Sequence, residues 1–293
     1  AVGGGSVIDS AKAIGIGVPY KGDVWDFYSK KAVPRKTLPV GCVLTIAAAG
    51  SETSFASVIT KEDDCCKKVV RLELMRPVFA LLNPKLTYTV PPYHTACGCA
   101  DMMAHVLERY FVNTKGIGFT DSLCEATIRS IMHYAPIALK KPRDYEARAN
   151  LMWAGTVAHN GILNTGRPFG DWATHMIEHE VGGIYDVAHG AGLAAIFPAW
   201  MKHVYKHDVI RFARYAREVF GVEEEDDGKA ALAGIEKTKE FFRSIGMPVS
   251  LKELGVPADR LDEMARKCTE RGTVGSFVKL QKKDVLAILE IAR

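Results

Sequence analysis

The chain lacks any apolar run near the roughly 20 residues needed to cross a bilayer, and no signal-peptide pattern opens it. No membrane partner is expected, and the expected compartment is the cytoplasm. A concentrated basic face is also missing. The 38 basic and 34 acidic residues leave a formal net charge of +4, too weak a bias for a nucleic-acid partner. CxxC spacing is absent from the cysteines at 42, 65, 66, 97, 99, 124 and 268, whose odd number fits reduced thiols better than a disulfide framework. Internal repeats and low-complexity tracts do not occur. What is present, 48% hydrophobic and 25% charged residues over 293 positions, suits a soluble globular protein of two domains or one large one.

Gly3-Gly4-Gly5-Ser6 opens a segment whose apolar residues at 7, 8, 11 and 14 mark one helical face. A glycine-rich turn opening a helix can face a phosphate with its backbone N–H groups, and it ordinarily follows a strand. Only two residues precede it, so the chain is expected to be a fragment whose first part is missing. Pro39 to Ile46 and Pro77 to Leu82 are near-continuous apolar runs ending in small or turn residues, as in a buried, mostly parallel sheet. After Pro91-Pro92 the periodicity becomes helical. It predicts helices over 96–111, 120–139, 145–160, 172–180, 190–203, 209–220, 229–245 and 259–269. The acidic run 223–227 fits a solvated loop between two of them.

Two constellations carry chemistry. Asp101 and His105 stand four apart, so on a helix a carboxylate and an imidazole share one face. His175 and His179 repeat that spacing on a segment that Asp171 could cap, and His189 follows past Gly182-Gly183. Either pair alone is more often an ordinary hydrogen-bonded group; together they point to one shared site. His175-Met176-Ile177-Glu178-His179 also spells H-x-x-E-H, a zinc-peptidase signature in which Glu178 would be the general base. That alternative leaves Asp101, His105 and His189 idle and does not account for the glycine-rich helix opening.

Gly3-Gly4-Gly5-Ser6 with Asp9 and Lys12, the stretch Thr45 to Ser54 ending in Gly50-Ser51-Glu52, Asn83-Pro84-Lys85-Leu86-Thr87 with Pro91-Pro92, Asp101 with His105, and His175, His179 and His189-Gly190 resemble, in order, the iron-containing (group III) alcohol dehydrogenases. The resemblance spans the chain and is strongest to the butanol dehydrogenase and NADPH-dependent aldehyde reductase branch. It implies an α/β plus all-α fold: a partial dinucleotide-binding α/β domain over 1–92 and a helical metal-binding domain over 93–293. It implies Asp101, His105, His175 and His189 as metal ligands, for Fe²⁺ first and Zn²⁺ second. His179 is implied beside nicotinamide and substrate, as the catalytic residue. Gly4, Gly5 and Ser6 fall on the pyrophosphate turn, and Asp9, Thr45, Ser51, Ser54, Lys67 and Leu86 fall near the cofactor, expected to be NADP(H) before NAD(H). Two departures stand out: Cys99-Ala100-Asp101-Met102 replaces a common Gly-Met-Asp-Ala, and Ala47-Ala48-Ala49 lacks a threonine that commonly touches the cofactor.

One carboxylate and three neutral imidazoles leave a divalent ion with net positive charge, able to polarise a carbonyl or alkoxide oxygen. His179 would relay the proton. The expected reaction is hydride transfer between a nicotinamide and a small primary alcohol or aldehyde such as butanol or butanal, in a homodimer. Phe169, Trp172 and Tyr185 could line an apolar substrate pocket, or be core. The competing readings are a polyol dehydrogenase or lyase of related fold, which usually uses fewer histidines, and a non-catalytic fragment serving as a helical interaction module.

Overall fold

The computed structural model describes residues 1–64 and 66–293; Cys65 lies outside the described residues. Strand β1 (Val2–Gly3) runs through Gly4 into helix α1 (Gly5–Gly17), and a short helix α2 (Trp25–Tyr28) precedes strand β2 (Gly41–Leu44). Strands β3 (Ala56–Lys61), β4 (Cys66–Arg71) and β5 (Phe79–Leu82) follow. β1, β2 and β5 form a parallel sheet in the order β1-β2-β5, with Val2 opposite Val43 and Gly41 opposite Phe79. The near-continuous apolar runs predict a buried, mostly parallel sheet. Here it is covered on one face: Ile8, Cys42 and Leu44 pack with Met152, while Phe79 and Leu81 are each 56% exposed.

β3 and β4 form an antiparallel ribbon, Ala56 opposite Arg71 and Thr60 opposite Lys67, which the sequence reading did not anticipate. Charges at its tip, Lys61 to Asp64 and Lys67-Lys68, interrupt the alternation that marks a strand.

The helical part begins with α3 (Pro92–Tyr110), with proline in its first turn, and continues through α4 (Gly118–Lys140), α5 (Tyr145–His159), α6 (Ala173–Tyr185), α7 (His189–Val204), α8 (Val209–Phe220), α9 (Asp227–Ser244), α10 (Leu261–Cys268) and α11 (Lys282–Ala292). The last was not foreseen, although its buried Val285, Ile288, Leu289 and Ala292 carry helical spacing. α3 is the central element, buried from Thr95 to Tyr110. Glycines let its neighbours close in. A Cβ on Gly98 would stand 2.2 Å from the Ala47 carbonyl oxygen, and one on Gly190 would stand 2.0 Å from that of Cys97. These contacts seat α7 and the loop after β2 against α3, bringing Asp101 and His189 to one place. Among the described residues, no helix is long and apolar enough to cross a membrane.

Candidate functional site

A cleft of about 620 Å³, open to solvent, lies between the first turn of α1, the β3–β4 ribbon and helices α3, α6 and α7. Its floor holds Asp101, His105, His175 and His189. Asp101 Oδ1 stands 3.7 Å from His105 Nε2, 4.0 Å from His175 Nε2 and 3.8 Å from His189 Nε2. These separations are too long for hydrogen bonds. They approach the roughly 3.4 Å expected between two ligands of one tetrahedral ion with bonds of about 2.1 Å. Donor atoms of Asp101, His175 and His189 lie within 4.8 Å of one another. Asp101 Oδ1 and His175 Nε2 are buried without a hydrogen-bond partner among the described residues. Orphaned polar atoms that converge in this way fit a cation between them.

Protonation states fit as well. Burial, followed by the neighbouring charges of the cluster, pushes His105 and His175 well below the usual imidazole value, leaving neutral rings with lone pairs to donate. Burial raises the Asp101 carboxyl to about 6, the response of a carboxylate kept from water.

Two further carboxylates stand behind the histidines. Glu108 Oε1 is 2.8 Å from His175 Nδ1. The same Glu108 accepts from the Trp172 N–H at 2.5 Å, the His175 N–H at 3.2 Å and the Thr174 hydroxyl. It therefore caps α6 while aiming the ring of His175. The expected cap, Asp171, reaches only the Ala173 N–H, at 3.3 Å, and spends its other oxygen on the Ser276 and Phe277 N–H groups. Glu178 Oε2 is hydrogen-bonded to His189 Nδ1 and lies 3.3 Å from Lys67 Nζ. Burial alone would raise the Glu178 carboxyl; His189 and Lys67 outweigh it and hold it near 2. Carboxylates behind ligating histidines fix the tautomer and the ring orientation. Glu178, His179 and His189 also present donors within 4.8 Å of one another. There, however, His189 uses Nδ1 toward Glu178 and keeps Nε2 for the Asp101 side.

The opposite wall is the opening of α1. Gly4, Gly5 and Ser6 line the cleft, and the helix has no side-chain cap, so its first N–H groups are free to face an anion. Asp9, Ser51, Ser54, Lys67 and His179 also line it. Several of these side chains are already engaged. Lys12 Nζ, fully buried, donates to Ser51 O at 2.7 Å, Ser51 Oγ at 2.9 Å, Ser54 O at 3.0 Å and Ala56 O at 2.8 Å. Asp9 accepts from Ser51 Oγ at 2.5 Å and the Val58 N–H at 2.8 Å. Asp9 and Lys12 thus pin the loop after β2, and the ribbon, to α1. Thr45 and Leu86 fall outside the cleft lining: the Thr45 N–H bonds to Gly3 O at 3.1 Å, and Leu86 is 39% exposed on the turn Pro84–Thr87. Trp172 lines the cleft with Phe169 stacked on it at 5.0 Å, whereas Tyr185 points away, its hydroxyl on Asp259. His159, which no spacing had singled out, packs 4.3 Å from the His105 ring.

The model of the iron-containing alcohol dehydrogenases matches residues 1–84, and that of the C-terminal part of the Fe-containing alcohol dehydrogenase family matches residues 95–293. The chain belongs to this family. Probable NADH-dependent butanol dehydrogenase 1 of Bacillus subtilis is 44% identical over 292 residues, covering 99% of this chain and 75% of the relative. NADPH-dependent aldehyde reductase YqhD of Escherichia coli is 34% identical over 275 residues, covering 93% and 71%. The crystal structure of NADH-dependent butanol dehydrogenase A from Thermotoga maritima superposes with a TM-score of 0.96 at 40% identity, over 99% of this chain and 75% of that one. The protein is an NAD(P)-dependent alcohol dehydrogenase or aldehyde reductase, with an α/β part followed by a helical part, working with a divalent metal and a nicotinamide. The H-x-x-E-H spelling is therefore no sign of a peptidase.

Proposed function

We propose that Asp101, His105, His175 and His189 hold one divalent cation, Fe²⁺ in the first instance and Zn²⁺ as the alternative. The reaction we assign is hydride transfer between NAD(P)(H) and a small primary alcohol or aldehyde, butanol and butanal being the reference pair. The observation that carries this is the convergence of Asp101 Oδ1 with three imidazole nitrogens at 3.7 to 4.0 Å on the floor of a cleft whose other wall is the open end of α1. When bound, the cation supplies Lewis acidity toward the substrate oxygen, and the nicotinamide supplies or receives the hydride.

The chain's own residues do the rest. Gly4, Gly5 and Ser6 bind the cofactor's pyrophosphate through backbone N–H groups. Ser51, Ser54 and Asp9 shape the wall along which the cofactor lies, and Lys67 reaches into the cleft from the ribbon. Burial, then the Lys67 ammonium, keeps the half-buried His179 well below the usual imidazole value. It is therefore neutral near pH 7, able to take a proton during alcohol oxidation and to return it through the same nitrogen during reduction. Trp172 and the rings around it exclude water from the floor. Free cysteines at 42, 66, 97, 99, 124 and 268 suit the proposed cytoplasmic setting, and a homodimer is the proposed assembly.

The test loads the purified protein anaerobically with Fe²⁺ or with Zn²⁺ and follows oxidation of NADPH and of NADH by butanal. A faster rate with NADPH would support the expected cofactor preference; both are run because the relatives differ in the nicotinamide they are named for. Turnover that disappears in His189→Ala supports the assignment. Turnover indifferent to that change, or peptide hydrolysis that requires Glu178, overturns it.

A further inference from the structure

Glu178 was the would-be general base of the peptidase reading, and hydride transfer asks no proton of it. Its position is nonetheless built. It lies on α6, fully buried, with Oε1 unpartnered among the described residues and Oε2 shared between His189 and Lys67. Two glycines make the room. A Cβ on Gly192 of α7 would stand 2.8 Å from Glu178 Cγ and 3.0 Å from Oε1, and one on Gly182 would stand 2.8 Å from Oε1. A buried carboxylate with one empty oxygen is costly for stability. Here it is lodged between two backbones reduced to glycine and touches one group from each side of the cleft.

We propose that Glu178 is a positioning residue that holds His189 by Nδ1, so that Nε2 faces Asp101, and at the same time draws in Lys67 from the ribbon. Accepting from Nδ1–H fixes the tautomer in which Nε2 keeps its lone pair for a cation. Lys67 sits on β4 opposite Thr60, so the ion pair ties the ribbon to α6 at the cleft's rim. One carboxylate thus joins the metal side to the nicotinamide side. The inference rests on the metal reading above, and its test separates the two.

Zn²⁺ and Co²⁺ affinities are measured on the full chain by chelator competition, with thermal melting of the metal-free protein alongside, for wild type, Glu178→Gln, Lys67→Met and His189→Ala. Glu178→Gln is expected to lose about 10- to 100-fold in metal affinity, the usual effect of removing a carboxylate behind a ligating histidine, with the metal-free melting curve unmoved. The Co²⁺ visible band should shift in the same variant, and Lys67→Met should bind metal within about twofold of wild type. If Glu178→Gln melts early, Gly192→Ala, which crowds the carboxylate without removing it, should show the same loss. Wild-type affinity in Glu178→Gln or Gly192→Ala, with affinity lost in His189→Ala, overturns the inference and leaves the metal reading standing. A loss in Lys67→Met as large as that in Glu178→Gln also overturns it. Unchanged affinity in His189→Ala overturns both.

Discussion

The two walls of the cleft are held by different amounts of structure. On the metal side, α3 is buried from Thr95 to Tyr110, and α7 meets it so closely at Gly190 that no side chain fits between. On the nucleotide side, α1 is tied to the loop after β2 and to the ribbon by buried polar contacts of Lys12 and its neighbour Asp9. Tight packing places donor atoms without strain on any single contact, whereas a wall pinned by the linked pair Lys12 and Asp9 depends on that polar hub. Metal binding should therefore tolerate damage to the α/β part, and cofactor binding should not.

The largest effect should come from that hub. Lys12→Met leaves several buried acceptors without a donor and Asp9 without its cation, and is expected to cost about 3–5 kcal/mol in urea unfolding. Sharper than the magnitude is its location: NADPH affinity should collapse while Zn²⁺ affinity in the folded fraction stays near wild type. Equal loss of both would erase the contrast between the walls. On the other side, Gly190→Ala forces a Cβ against the Cys97 carbonyl and should cost about 1–3 kcal/mol, with metal affinity falling before NADPH affinity.

Much of the metal side was legible because helix periodicity is local. Asp101 with His105, and His175 with His179, announce themselves by a four-residue step, whereas Gly182-Gly183 lie inside α6, which runs on to Tyr185 before the break that precedes His189. What stood behind them was not legible. Glu108 lies 67 positions from His175, and nothing in the sequence says that it caps a distant helix. Glu178 was visible, but only as part of a spelling that suggested other chemistry. The ribbon was hidden by its charged tip, and Lys67 was placed near the cofactor by resemblance rather than by pattern. Resemblance also put Thr45 and Leu86 near the cofactor, and both lie outside the cleft lining.

A smaller effect concerns pH. With Asp101 raised to about 6 in the metal-free protein, a cation must displace a proton below that value and meets a carboxylate above it. Burial holds His105 and His175 well below the usual imidazole value, so the carboxyl is the group of the two kinds whose titration falls in this range. Apparent Zn²⁺ affinity should be flat above about pH 7 and fall about tenfold per unit below about pH 6. Isothermal titration across pH 5 to 8 checks this, and a profile that is flat throughout would remove Asp101 from the set. The smallest effect expected is that of Leu86→Ala: lying outside the cleft lining, it should leave NADPH affinity within about twofold and stability within about 0.5 kcal/mol.

The central claim is where the cation sits, and anomalous diffraction from crystals loaded with Co²⁺ or Zn²⁺ tests it directly. One strong peak is expected, bounded by Asp101 Oδ1 and the Nε2 atoms of His105, His175 and His189. A peak among Glu178, His179 and His189 instead, the second group whose donors lie within 4.8 Å of one another, would contradict it.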